Sequence, residues 1–379
     1  MKADQFIQQP KNPLAELTYV VLTYHRQSYA LRFMNYWNER GPRVVVIDGT
    51  DSPIPKGDLV PLGAAITYIH NPAGIYARLR EALDHIKTRY VALAGDDEFY
   101  IPSAVTTCLR ELDRDPSLVA CCGRALGFSP DRNYAVSGFQ QYPGLRNYSL
   151  DDNHPKARLL KHLCAYVPSL IYSISRTDEW KTAWKHILIE EFPAHSITEL
   201  QFEICMSVAG KSRVLSELMW LRSHDETVPV RGTDASNDPE KSFRTWWISP
   251  TTAGDRGRFV NLMSGAFADL LGRKGDRREW VVRAIEMYLY QSPMRRVKNL
   301  VKKLLPYSFQ EKVRKFSISL CSGFNRRGSQ LDSSLISAAG SLVNEGVIVD
   351  FEELHNIEKI ITSFHRERHI IAGSRLNER

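Results

Sequence analysis

Along the first third of the chain, apolar positions fall into two alternating rhythms. Residues 17–23 are a short β-branched run that predicts a buried strand. Ala30, Phe33, Met34 and Trp37 then recur at helical spacing, and Gly41-Pro42 ends a helix over 28–40. A second strand of consecutive valines at 43–47 runs into the turn cluster Asp48-Gly49-Thr50-Asp51-Ser52-Pro53. A third strand is predicted at 65–70, and a helix at 74–88 with Ile75, Leu79, Ala82, Leu83 and Ile86 on one face. A fourth strand at 90–94 leads into Gly95-Asp96-Asp97-Glu98, and another helix follows at 102–112.

Strands that alternate with helices and are apolar on both faces predict a largely parallel sheet covered on both sides. In such sheets ligands bind beyond the carboxyl ends of the strands. Three of the four predicted strands end there in polar residues: Thr23-Tyr24-His25, Asp48, and Asp96-Asp97. Residues 118–235 parse less clearly. A helix is expected at 196–209, with Ile197, Leu200, Ile204 and Val208 on one face and Gly210 as its cap. A last strand is expected at 214–221, before Arg222-Ser223-His224-Asp225. The polar segment 231–241 reads as a linker. The expected organisation is a leader at 1–16, an α/β catalytic domain at 17–235 and a helical region at 236–379. No internal repeat is evident.

Composition changes this picture little. The chain has 379 residues, 43% hydrophobic and 25% charged, as an ordinary globular protein has. Its net charge of +7 suits an anionic partner without saying which. Residues 292–328 concentrate that charge, with ten Lys/Arg against Glu311 alone. There Val297, Leu300, Val301, Leu304 and Leu305 form a helical stripe, with Lys298, Lys302 and Lys303 off it. Such a helix suits an anionic membrane surface, or equally a packed helix with a solvated basic face. Cys108, Cys121, Cys122, Cys164, Cys205 and Cys321 show no metal-ligand spacing and read as reduced thiols. No apolar signal segment opens the chain and no run is long enough to span a bilayer, so a cytoplasmic protein, peripheral on the inner face of the membrane at most, is expected.

Several residues invite chemistry, each beside a plainer explanation. Adjacent carboxylates Asp96 and Asp97 at a strand end can hold a hard divalent cation, or form a solvated turn. Asp48 can accept hydrogen bonds from a nucleobase or ribose, or build its Asp-Gly turn. Arg78 lies one turn into the helix after Asn71-Pro72-Ala73-Gly74, where a phosphate can sit. Glu199 is a candidate base or a first-turn acid placed by the helix dipole, and Glu203 is its rival at i+4. His224 is a candidate metal ligand or an ordinary surface histidine. Trp246-Trp247 reads as core, or as one wall of a groove.

Together these segments resemble the family 2-like glycosyltransferases of the GT-A fold, over roughly residues 17–225. Val20-Val21-Leu22-Thr23-Tyr24-His25-Arg26 is similar to the family's strand ending in Thr-Tyr-Asn-Arg. Val44 to Asp51 is similar to its Val-Val-Asp-Asp-Gly-Ser motif, and Asn71 to Arg78 to its Asn-x-Gly…Ala-Arg stretch. Residues 90–98 resemble the strand leading to its metal-binding Asp-x-Asp. Gly95 stands where the first Asp of that motif falls, as in a divergent bacterial branch with a Gly-Asp-Asp turn. Glu199 falls at the place of the acidic base, and His25 replaces an Asn. The resemblance implies a mixed, mostly parallel GT-A sheet and transfer from a nucleotide-diphosphate sugar with inversion at the anomeric carbon. It implies Mn2+ or Mg2+ on Asp97 with His224, and a donor held by Thr23, Tyr24, Asp48, Arg78 and Asp96. It implies a glycan or lipid-linked acceptor in bacterial surface polysaccharide or glycoconjugate synthesis. Rival readings are a nucleotidyl or phosphoryl transferase on a similar scaffold, a basic nucleic-acid-binding protein and a non-catalytic scaffold. The chain lacks a Gly-x-x-x-x-Gly-Lys-Ser/Thr loop and the interleaved aromatic and basic residues of a stacking surface, so no nucleic acid is expected.

Overall fold

The computed structural model describes residues 12–193, 195–225, 243–290 and 333–377. In chain order its elements are β1 (Leu17–Thr23), α1 (Gln27–Trp37), β2 (Arg43–Asp48), α2 (Lys56–Leu59), β3 (Ile66–His70), α3 (Ile75–His85), β4 (Tyr90–Ala94), β5 (Phe99–Tyr100) and α4 (Pro102–Arg114). Then come β6 (Leu118–Pro130), β7 (Val136–Gln141), β8 (Ser149–Leu150), α5 (Pro155–Cys164), β9 (Ile174–Arg176), α6 (Thr177–Ile187), α7 (His195–Ala209) and β10 (Lys211–Ser223). The described remainder is helical: α8 (Phe243–Ile248), α9 (Ala253–Leu270), α10 (Arg278–Tyr290), α11 (Leu335–Val343) and α12 (Phe351–Asn377).

The strands form one sheet in the order β3-β2-β1-β4-β9-β6-β10-β5, with β7 on β6 and β8 on β10. Strands β1 to β4, β6 and β10 run one way, and β5, β7, β8 and β9 run against them. The sheet is therefore mixed but mostly parallel. Its parallel half is what the valine-rich runs predict: in β1 every residue but Leu22 is buried, so helices cover both faces. Helices α1 and α4 share one core with β1, β2 and β4, and α3, α6 and α7 fill the other.

The helices after residue 243 do not stand apart from the sheet. Phe259, Met263, Phe267 and Ile285, from α9 and α10, join the core around α5 to α7. Trp246 is buried against Phe192 and Phe259, and Trp247 stacks on Phe243. This is the packing role. Helix α12 instead returns across the sheet to α1, where Glu353 accepts from Tyr36 Oη at 2.8 Å and pairs with Arg40 at 2.9 Å. The expected linker 231–241 and the basic segment 292–328 lie outside the described residues. Five free cysteines are described, four of them buried. Among the described residues no helix is long and apolar enough to cross a membrane.

Candidate active site

The parallel strands deliver their carboxyl ends to one edge. After β4 the chain turns sharply at Gly95-Asp96-Asp97-Glu98. Thr23, the last residue of β1, donates its hydroxyl to Asp96 Oδ2 at 2.7 Å. Burial pushes the Asp96 carboxyl up to about 7, with Arg26 opposing the rise and Asp97 adding to it. Arg26 bridges the pair, its Nη2 lying 2.5 Å from Asp97 Oδ2 and 3.3 Å from Asp96 Oδ1. Arg32, on α1, donates to the Asp97 carbonyl at 2.8 Å. Its guanidinium lies over the rings of Tyr29, Phe99 and Phe364, so α12 braces the turn from behind.

Gly95 has a local cause. A Cβ there would meet the Glu98 carboxylate at about 3 Å, because Glu98 folds back over the turn. Glu98 is buried and accepts from Trp220 Nε1 at 2.9 Å and Tyr100 Oη at 3.3 Å. Burial, then Asp97, push its carboxyl up to about 7. The Glu98 side chain thus fills the space that a side chain at position 95 would need.

On the neighbouring strand Asp48 is fully buried. Its carboxylate accepts from Thr50 N at 2.9 Å, Tyr68 Oη at 2.7 Å and Gln27 Nε2 at 2.6 Å. Burial would raise its carboxyl, but those hydrogen bonds outweigh it and hold the group below the usual carboxylate range. The carboxylate builds its turn, as Asp-Gly also predicts. Thr23 likewise faces Asp96, and its carbonyl accepts from Arg78 Nη1 at 2.6 Å. Asn71 closes the turn before α3 by accepting from Ala73 N.

Arg78 and Tyr24 are what this half presents. Arg78 is buried against the bare face of Gly49, and its Nε has no hydrogen-bond partner among the described residues. Tyr24 is 42% exposed, with the Arg78 guanidinium 5.9 Å from its ring centre.

The two glutamates of α7 part company. Glu203 is wholly buried, accepting from Leu170 N and Ile171 N at 3.2 and 3.0 Å and bonded to His162 Nε2 at 2.7 Å. It ties down the loop between α5 and β9. Glu199, one turn earlier, keeps an open face to solvent while protein surrounds it elsewhere. Burial by those surroundings, then the Glu203 carboxylate, push its carboxyl up to about 7. A solvent-exposed acid with that pKa is suited to take a proton near neutral pH.

His224 does not join the acids. Its Nε2 meets Gln141 Oε1 at 3.2 Å, and its ring packs on the edge of Phe139. No group of three or more His, Cys, Asp or Glu side chains that could hold a metal ion forms among the described residues. In the structure the His224 imidazole lies against β7. Sequence reasoning also missed Arg26, Arg32 and Glu98. Arg26 and Glu98 lie within the motifs at the ends of β1 and β4 but carried no role there, and Arg32 gives no local signal.

A mixed, mostly parallel α/β sheet with an acidic turn after β4, Tyr24 just beyond β1 and Arg78 on α3 is consistent with the GT-A fold. Residues 19–169 match the family described as glycosyl transferase family 2. Over that segment the chain is similar to the family. Among solved structures it is similar to S. aureus TarS 1-349, at 14% identity and TM-score 0.42, covering 74% of this chain and 81% of that one. The same fragment in complex with UDP-GlcNAc gives 14% and 0.41, covering 77% and 93%. S. aureus TarS itself gives 13% and 0.37, covering 73% and 54%. No curated protein matches the chain.

Proposed function

We propose that this protein is a glycosyltransferase that moves a sugar from a nucleoside-diphosphate donor to an acceptor hydroxyl, inverting the anomeric carbon. The observation that carries the reading is the Asp96–Asp97 pair at the carboxyl end of β4, already bridging a cation of the chain's own, Arg26. The solved neighbour bound to UDP-GlcNAc is a relative in fold only, and the nucleotide reading rests on this chain's residues. Arg78, with an unpartnered buried Nε, would bind the diphosphate, and the exposed Tyr24 ring would stack on the base. Glu199 would accept the acceptor's hydroxyl proton from the face opposite the leaving group, which gives inversion by single displacement.

The acids fit a divalent cation. Mg2+ or Mn2+ needs only one or two carboxylates when phosphate oxygens complete its shell. Asp97, partly exposed, and Asp96 behind it supply them; His224 is not required. When bound, the metal would offset the charge that develops on the departing diphosphate. Arg26 and the metal compete for the same oxygens, which favours a second reading in which the guanidinium itself supplies the positive charge. The test is release of nucleoside diphosphate from a donor panel by wild type, Asp97→Asn and Arg26→Ala, with and without chelator. Turnover lost with chelator and in Asp97→Asn supports the metal reading. Turnover that survives chelation but fails in Arg26→Ala supports the second. Pyrophosphate release, or no release by wild type, would sink both.

We also propose a glycan or lipid-linked acceptor in bacterial surface polysaccharide synthesis and a cytoplasmic site of action, peripheral to the membrane. The net charge of +7 and the basic stretch 292–328 support an anionic partner. Co-sedimentation with anionic but not neutral vesicles would check it.

A further inference from the structure

Strand β10 ends beside the acidic turn with Trp220 and Arg222, which share one face of the strand because side chains alternate. Trp220 is buried and fixed by its Nε1–Glu98 hydrogen bond. Two tyrosines stack on it: Tyr172 with ring centres 4.4 Å apart and planes 27° apart, and Tyr142 at 5.4 Å and 21°. The Arg222 guanidinium lies 5.3, 5.8 and 6.0 Å from the centres of Tyr142, Trp220 and Tyr172. Tyr142, Tyr172 and Arg222 are all partly exposed. Tyr142 is held with φ 48° and ψ 62°, a left-handed conformation that a tyrosine before a proline rarely adopts.

This cluster is more than core. Among the described residues no hydrogen bond or salt bridge engages the Arg222 guanidinium. The nearby Glu98 carboxylate is turned to Trp220 and Tyr100 instead. A cation on three aromatic faces is stabilised by their quadrupoles, yet its donors still need acceptors. Tyr172 lies close enough to Glu199, Glu98, Glu203 and Asp97 for their charges to act on it, and Trp220 bonds Glu98 of the acidic turn directly. The electron-rich ring faces suit the polarised C–H face of a sugar, and a guanidinium matches an oxyanion by paired hydrogen bonds.

We infer that Tyr142, Tyr172 and Arg222 form an acceptor subsite for a sugar bearing an anionic group, a phosphate or a carboxylate. The rings take the sugar's apolar face and Arg222 the anion. The inference rests on the glycosyl-transfer reading and adds the charge class of the acceptor.

The test measures binding of glucose and galactose, their 6-phosphates and their uronates to the full chain by ligand-observed NMR. UDP and GDP are titrated into the same samples. Wild type should bind an anionic sugar about tenfold more tightly than its neutral parent. Arg222→Gln should remove that preference, and Arg222→Lys should keep part of it. Preference for the 6-phosphate or for the uronate identifies the anion. No preference in wild type, or the same preference in Arg222→Gln, overturns the subsite. So does equal competition by inorganic phosphate, because the rings would then contribute nothing. If Arg222→Gln loses UDP and GDP together with the sugars while circular dichroism shows it folded, the cluster belongs to the donor cleft and the inference fails. Absence of nucleotide binding in wild type counts against the donor reading instead, so the two failures are distinguishable.

Discussion

The carboxyl edge of the sheet has two halves that hold their acids by different means. On the side of β1, β2 and β4, each carboxylate is bound by its own surroundings: Asp48 by Thr50, Tyr68 and Gln27, and Asp96 and Asp97 by Thr23 and Arg26. What this half leaves uncommitted is the Nε of Arg78 and the exposed ring of Tyr24. On the side of α7 and β10, two glutamates one helical turn apart have opposite fates. Glu203 spends its oxygens on His162 and two backbone N–H groups, while Glu199 stays open. The lesson is that burial with full satisfaction marks an acid as structural, and burial with an open face marks it as available.

The largest expected effect tests the first half. Asp97→Asn should lower sugar transfer about a thousandfold with an unchanged circular dichroism spectrum; a loss under tenfold would show that Asp97 does not carry the site's charge chemistry. The α7 pair gives the next contrast. Glu203→Ala removes the acceptor from two buried N–H groups and from His162, and should cost about 3–5 kcal/mol in a denaturant titration. Glu199→Gln should leave stability nearly unchanged and slow transfer by about a hundredfold or more. If the two phenotypes are exchanged, the assignment is reversed. The pH profile follows from the same acid. Glu199 must be ionised to accept a proton and its carboxyl stands near 7, so transfer should fall as pH drops through about 7. Glu199→Gln should flatten that limb.

How much of this the sequence carries differs between the halves for a physical reason. The first half is local: each strand leads within a few residues to the side chain it positions, so the apolar runs at 17–23, 43–47 and 90–94 locate β1, β2, β4 and the acidic turn. The second half is assembled from distant positions. Nothing around residue 203 reveals that His162 and the backbone of Leu170 and Ile171 will meet it, so its periodicity looks the same as that of Glu199. Asp48 illustrates the converse, since a carboxylate at a strand tip reads alike whether it faces a ligand or its own turn. The surroundings of His224 were equally hidden, because the β7 hairpin that supplies Gln141 and Phe139 lies in the stretch that resists parsing. Gly95 becomes intelligible only when Glu98 is seen folded over it.

Two smaller effects sharpen the comparison. Arg26→Ala frees both acids of the turn, so Mn2+ should bind about fivefold more tightly in a calorimetric titration without donor; weaker binding would make Arg26 a support for the acids and not a competitor. Phe364→Ala removes one ring from the Arg32 guanidinium and should lower kcat about two- to fivefold through the Asp97 carbonyl, with little change in KM. An unchanged kcat would confine α12 to a packing role.

The central claim is that the Asp96–Asp97 turn and Arg78 together form a nucleotide-sugar site. Thermal-shift titration of nucleoside-diphosphate sugars with Mn2+ into wild type, Asp97→Asn and Arg78→Ala tests it most directly, because a ligand that binds only the folded state raises apparent stability. At least one donor should raise the Tm of wild type, and both variants should lose most of that rise. A donor that stabilises all three proteins equally would contradict it.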